Sequence, residues 1–170
     1  MKGELHYVDS ENEGRVEYPD KIEADGIYTC IGVGILNKID KIGYACHYFP
    51  YTEERLELFV DKAIAEAKKV DDLTVVIVGS VYAPEEVSAP YDETPDPDEI
   101  EMLSKRNDAA FENKKRYDRW VLNMLKSKNI KEKNIQNHLA DYFQDMHYSI
   151  FLDTDLGVIE VNEEGVEDDT

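Results

Sequence analysis

From Tyr28 to Leu36, and again from Ile42 to Phe49, large apolar residues alternate with small ones. This pattern, rich in β-branched and aromatic side chains, predicts two β-strands. The polar residues between them, Asn37 to Asp40, have the length and composition of a hairpin loop. With that loop, Leu36 faces Lys41, Gly34 faces Gly43, Gly32 faces Ala45, Cys30 faces His47 and Tyr28 faces Phe49. The register sets small residues opposite small ones and a thiol opposite an imidazole. Directly opposed Cβ atoms lie roughly 4.5–5.5 Å apart, within reach of a sulfur–nitrogen hydrogen bond.

The periodicity changes after Pro50. Leu56, Phe59, Val60, Ala63, Ile64 and Ala67 recur at three- and four-residue steps, predicting a helix that starts near Thr52. Glu53 and Glu54 suit its first turn, and Lys68 and Lys69 its last. Leu73 to Val81 is a nearly continuous Val/Ile run, the mark of a strand buried on both faces. A second helix is predicted over Ala109 to Lys128, with Tyr117, Trp120, Val121, Met124 and Leu125 inward and Lys114, Lys115, Arg116 and Arg119 as a solvated basic face. Ile135, Leu139, Tyr142, Phe143 and Met146 step like a short helix. Tyr148 to Leu152 and Val158 to Val161 read as a closing hairpin about Asp153 to Gly157. The fold class expected is therefore α/β, a single layered domain with a mixed or antiparallel sheet and packed helices.

The remaining stretches are polar. Residues 1–25 read as an acidic N-terminal segment with one edge strand at Arg15 to Tyr18, and 162–170 as a frayed acidic tail. Between them lies one domain, residues 26–161. Residues 83–101 carry four of the six prolines, eight acids and no base, and read as a solvated insertion.

Charge narrows the partners. Across 170 residues, 38 acids against 19 bases leave a net charge of −19, a surface that repels nucleic acid and anionic membranes. No apolar run approaches the ~20 residues that cross a bilayer. The opening Met-Lys-Gly-Glu-Leu-His lacks the apolar core of a signal peptide, and two cysteines without an export signal suit reduced thiols in the cytoplasm.

The candidate chemistry rests on Cys30 and His47. A free thiol titrates near ~8.5, and an adjacent imidazolium lowers that value to leave a nucleophilic thiolate. The same imidazole then protonates a leaving group. Gly32, Gly34, Gly43 and Ala45 would make a shallow floor beside the pair, where a substrate or a helix lies. Cys30 as a small buried hydrophobe and His47 as a satisfied core histidine is the structural alternative.

Other sites fail on spacing. Asp153 and Asp155 open like a calcium loop, but no glycine and distal glutamate follow in register. Cys46 and His47 are strand neighbours that point to opposite faces, so they cannot share a zinc. Gly32 and Gly34 precede no helix that would hold a phosphate. His6, His138 and His147 are isolated. No metal and no cofactor are expected.

Cys30, sixteen intervening residues, then His47-Tyr48-Phe49-Pro50 resembles the CheD chemoreceptor glutamine deamidases. The helix after Pro50, the strand ending in Gly79-Ser80, the helix around Arg119 to Leu125 and the closing hairpin follow that family's order from Gly26 to Val161. The resemblance implies a hydrolase in which Cys30 attacks a protein glutamine side chain, His47 moves the proton, and water resolves a thioester to glutamate. It implies a chemoreceptor cytoplasmic domain as the protein substrate, with a regulatory protein as a further partner. Thr29 stands where the family has serine before the nucleophile, and Ala24 stands where it has its third catalytic residue, a threonine. Asp25 is the candidate to orient His47 instead. The family's glycine-rich segment is replaced by Gln136 to Tyr148, which has no glycine. These departures leave two alternatives open: a non-catalytic interaction module on the same fold, or another thiol hydrolase acting on a small amide or ester.

Overall fold

The computed structural model describes residues 2–86, 96–139 and 146–165. The architecture is mixed α/β, with two mixed sheets and two helices. In chain order the strands are β1 (Leu5–Val8), β2 (Asn12–Glu17), β3 (Lys21–Ile27), β4 (Ile31–Asn37), β5 (Ile42–Tyr48), β6 (Leu73–Gly79), β7 (Ile135–Leu139), β8 (Met146–Asp153) and β9 (Val158–Gly165). Helix α1 (Glu53–Glu66) lies between β5 and β6, and α2 (Pro97–Ser127) between β6 and β7. One sheet has the order β1-β3-β8-β9 and the other β2-β5-β4-β6-β7.

Strand β4 sits at the centre, buried along its whole length. Its odd positions Ile31, Val33 and Ile35 join Tyr44, Cys46 and Tyr48 of β5 beneath Phe59 and Val60 of α1 and Tyr117, Val121 and Leu125 of α2. Its opposite face, with Leu36, Ala45, Val76 and Val78, packs on Ile22, Ile27, Ile150 and Leu152 of the other sheet. Period-two alternation thus feeds two separate cores from one strand.

The β4–β5 hairpin forms, with its loop moved one residue along the chain, so that each residue of β5 meets a partner two positions beyond the expected one. Asn37 ends β4 instead of opening the loop: its Oδ1 accepts from the N–H groups of Ile39 (3.1 Å) and Asp40 (3.0 Å). The loop is 38–41, closed by Lys41 at φ 55°. Gly32 consequently pairs with His47, Gly34 with Ala45 and Leu36 with Gly43.

The N-terminal stretch is not an appendage. It supplies three strands, with β1 parallel to β3 in one sheet and β2 antiparallel to β5 at the edge of the other. The partners that order it lie in distant sequence, so its polar composition conceals it. At the other end, β9 runs on through Asn162 to Gly165, where Asn162 pairs with Ser149 and Glu163 with Tyr148. Fraying from Asn162 is therefore corrected; 166–170 lie outside the described residues.

Two further expectations are overturned. Helix α2 starts at Pro97, with Asp96 as N-cap accepting from the Asp98 N–H at 3.0 Å. The last part of the expected insertion, residues 97–101, is therefore helix. Residues preceding 87 also pack: Tyr82 donates to the Asn107 carbonyl (2.8 Å), and Glu85 and Asn107 exchange hydrogen bonds. Residues 87–95 lie outside the described residues. The helix expected from Ile135 to Met146 is instead strand β7, parallel to β6 from Val75↔Ile135 to Gly79↔Leu139. Pairing with an open sheet edge overrides a helical spacing that rested on few apolar positions. Tyr142 and Phe143 lie outside the described residues.

Thr52 does precede α1, but its hydroxyl donates to the Phe49 carbonyl (2.8 Å) instead of capping the helix. Lys68 and Lys69 lie beyond the helix, and Lys68 reaches Asp40 at 2.6 Å.

The closing hairpin turns on Asp153. Burial would raise its carboxyl, but Lys21 at 2.7 Å and the N–H groups of Leu156 and Asp155, each at 2.9 Å, outweigh burial and hold it below the ordinary 3.8. Asp153→Ala is expected to cost about 1–3 kcal/mol, the penalty for turn donors left without their acceptor, read from urea unfolding at pH 7. Because the folded carboxyl titrates lower than the unfolded one, its stabilisation is complete above the ordinary value and is lost as pH falls below it. An unchanged urea midpoint would refute this role.

Candidate functional site

The site lies at the end of the sandwich where β3 stops, β4 begins and β5 ends. Residues 28–30 form a bend between β3 and β4. Two backbone hydrogen bonds lock that bend to the end of β6: Ser80 N–H to the Cys30 carbonyl (2.7 Å) and Val81 N–H to the Tyr28 carbonyl (3.0 Å). Gly79 reaches this position at φ +88°.

Cys30 is half-buried and packs against the inter-sheet core. His47 projects to that same side, because it pairs with Gly32, whose absent side chain would meet Ile27, Val78 and Ile150. Cys30 lies in the bend before the paired residues of β4, two positions ahead of the Gly32 that faces His47, and so is not directly opposite the imidazole.

His47 is 4% exposed, and neither ring nitrogen has a hydrogen-bond partner among the described residues. Burial lowers its pKa from the usual 6.5; the charges of Glu11 and Asp25 and the Asp25 backbone, close to the ring without reaching hydrogen-bond geometry, act the other way. The Cys30 thiol is pushed up by burial and then by Glu11, while the Ser10 hydroxyl opposes the rise. Both shifts run towards a neutral thiol and a neutral imidazole, against the expected thiolate–imidazolium pair. Cys46 is fully buried among the helix-side residues, where desolvation drives its thiol far up.

The glycine floor is also corrected. Gly32 and Gly34 do permit a close approach, but what approaches is the second sheet. A Cβ on Gly32 would stand 2.3 Å from Ile27 Cδ1, and one on Gly34 2.8 Å from Ile150 Cγ2. Gly43 faces Val16, Thr154 and Leu152, and Ala45 is fully buried in the same layer. All four floor positions therefore lie under the inter-sheet core, closed to a substrate.

Asp25 is exposed where the β3 register shifts between Ala24 and Ile27, its Oδ1 accepting from the Gly26 N–H at 2.6 Å. Its charge still favours a proton on His47. Thr29 is exposed in the bend. Ala24 is fully buried opposite Ile150, within the inter-sheet core. His138 sits on β7 with Nδ1 3.7 Å from Glu163, and His147 stacks on Tyr28 with ring centroids 5.2 Å apart.

Sequence reasoning missed Ser10 and Glu11. They lie in the turn between β1 and β2. The Glu11 N–H bonds the His47 carbonyl at 2.7 Å. Nothing in the local pattern marks them, because the contact joins residues 36 positions apart.

Among the described residues, no helix is long and apolar enough to cross a membrane. No family model and no curated protein matches the chain, so CheD membership is not established. Among solved structures it is similar to the hypothetical protein YfiH of Bacillus licheniformis, at 13% identity and a TM-score of 0.45, over 78% of this chain and 51% of that one. It is also similar to YlmD of Geobacillus stearothermophilus, at 8% identity and a TM-score of 0.40, over 81% of this chain and 64% of that one. The chain thus spans about half the length of the first and under two thirds of the second.

Proposed function

We propose that this chain is a cysteine-dependent amide hydrolase that converts protein glutamine side chains to glutamate. The observation that carries the reading is His47, a buried imidazole with both nitrogens unpartnered among the described residues, on the inter-sheet side where the half-buried Cys30 also packs. Leaving buried polar atoms unpaired costs stability, about 1–3 kcal/mol for each group. Functional sites tolerate such costs more often than plain cores.

The neutral resting pair determines the order of events. Cys30 gives its proton to His47 as sulfur attacks the amide carbon, so charge separates only once substrate is present. Because burial makes the His47 imidazolium a strong acid, it returns that proton to the departing nitrogen, which leaves as ammonia. Water then attacks the thioester carbon while His47 takes its proton. Carbon–sulfur cleavage frees glutamate and the thiol, and the atoms balance as amide plus water giving acid plus ammonia.

A non-catalytic interaction module is the second reading, favoured by the raised thiol and by Ala24, which brings no hydroxyl to the pair. The CheD resemblance makes glutamine-bearing helical segments of chemoreceptor cytoplasmic domains the first substrates to test. Ammonia release and the mass of the target peptide should report deamidation by wild type and by Cys46→Ala, and none by Cys30→Ala. No ammonia from wild type, with receptor binding retained in both wild type and Cys30→Ala, would establish the interaction module instead.

A further inference from the structure

The turn from β1 to β2 carries a charge to the Cys30–His47 pair and fixes it there. Glu11 adopts φ 65°, the left-handed region that non-glycine residues seldom occupy. In that conformation its N–H reaches the His47 carbonyl, 2.7 Å away. Its Oε1 accepts the Phe49 N–H, and its Oε2 lies 2.8 Å from Arg55 of α1. Arg55 also donates to the Glu11 carbonyl and stacks over the Tyr48 ring, 4.2 Å from its centroid. Backbone and side chain of one residue therefore hold His47, next to last in β5, and Phe49 just beyond the strand.

A carboxylate needs no such scaffold to stay in solution. The Arg55 bond and the Phe49 N–H stop Glu11 from turning outward, which keeps its charge near Cys30 and His47 alike. We propose that Glu11 is the positioning residue of this pair: its backbone pins the His47 end of β5, and its carboxylate acts through space on both side chains. The inference rests on the hydrolase reading for its purpose. The placement of Glu11 stands on its hydrogen bonds alone.

The consequence has the same sign on the two groups: each holds its proton more tightly. A fixed negative charge favours a proton on the imidazole and disfavours loss of one from the thiol. Glu11 thus holds the nucleophile protonated at rest while helping His47 receive the proton during attack. It shares the first task with burial, and Ser10 opposes it there. It shares the second with Asp25. Arg55 tempers both effects by facing Glu11 from α1.

Glu11→Gln tests this, because the amide keeps an oxygen for the Phe49 N–H while it loses the charge and, with it, the Oε2 acceptor of Arg55. Two readouts apply, neither requiring turnover: the pH profile of Cys30 alkylation by iodoacetamide, and the imidazole titration of His47 by NMR. In Glu11→Gln, Cys30 should alkylate about threefold to tenfold faster at pH 7, the change that one removed charge at an effective dielectric near 20 allows. The His47 midpoint should move further down. Glu11→Asp keeps the charge and shortens the reach, so its midpoints should return towards wild type, and it serves if Glu11→Gln does not fold. Midpoints unchanged in a folded Glu11→Gln, or shifted upward on either group, would overturn the proposal. If no amide is hydrolysed and both downward shifts persist, the hydrolase reading fails while Glu11 keeps its assigned role.

Discussion

Gly79→Ala is expected to lower the unfolding free energy by about 3–5 kcal/mol, among the larger effects of a single substitution. Two costs combine. Alanine at φ +88° occupies a region that penalises L-residues by about 1–2 kcal/mol. Its Cβ would also stand 2.4 Å from the Cys30 carbonyl oxygen and 2.6 Å from Ile27 Cγ2. A backbone oxygen cannot rotate aside, so β6 and the 28–30 bend must separate. That loosens the Ser80–Cys30 and Val81–Tyr28 hydrogen bonds, each worth about 1 kcal/mol. Gly26→Ala is the control. Gly26 has φ +67°, but a Cβ there meets nothing within 4 Å, so only the conformational cost of about 1 kcal/mol remains. Urea unfolding of the two variants separates the terms. Equal losses at both positions would mean that the bend does not rest on β6, and the placement of Cys30 would lose its support.

The parts of the fold legible in sequence are those whose signal is local. Phe59, Val60 and Ala63 announce α1 because one helical face carries its burial, and the Val75–Val78 run announces β6 because both sheet faces are covered. The closing hairpin is legible for the same reason, since Asp153 and Gly157 occupy one turn. What stayed hidden depends on distant partners. Strand β1 has Leu5, His6 and Tyr7 exposed and only Val8 buried, and it is ordered by parallel pairing with β3. Strand β7 has two exposed polar residues at its centre and is ordered by β6.

The candidate site was legible in half. The Gly32/Gly34 pattern correctly signalled a close approach to the backbone. It did not reveal the visitor, because Ile150 and Leu152 lie more than a hundred residues away. The hairpin register was missed through Asn37, whose side chain serves equally as a strand end or as a loop start until its two N–H partners are placed. Cys30 and His47 do share a side. Their protonation states were beyond sequence, since burial and Glu11 decide them.

Replacing His47 by leucine is expected to separate function from stability. If the two ring nitrogens are unpartnered in the folded protein, removing them relieves a desolvation penalty, while a side chain of similar bulk keeps the inter-sheet layer filled. His47→Leu should then be more stable than wild type at pH 7 by about 1 kcal/mol, the lower end of the cost of a buried unsatisfied group. Hydrolysis should fall on the order of 10²–10⁴-fold, the contribution of a positioned acid–base group. A pH signature accompanies the gain. Burial lowers the folded imidazole below the ordinary 6.5, so the unfolded chain binds the proton first as pH falls. Wild-type stability therefore declines as pH drops below that value, towards the folded midpoint. His47→Leu should lack that part of the decline, so its advantage should widen between pH 7 and pH 5. Urea unfolding at several pH values, alongside ammonia release at pH 7, measures all three effects. A marked loss of stability in His47→Leu would show that the imidazole is hydrogen-bonded in the native protein. His47 would then be a structural core residue, and the hydrolase reading would lose the observation that carries it.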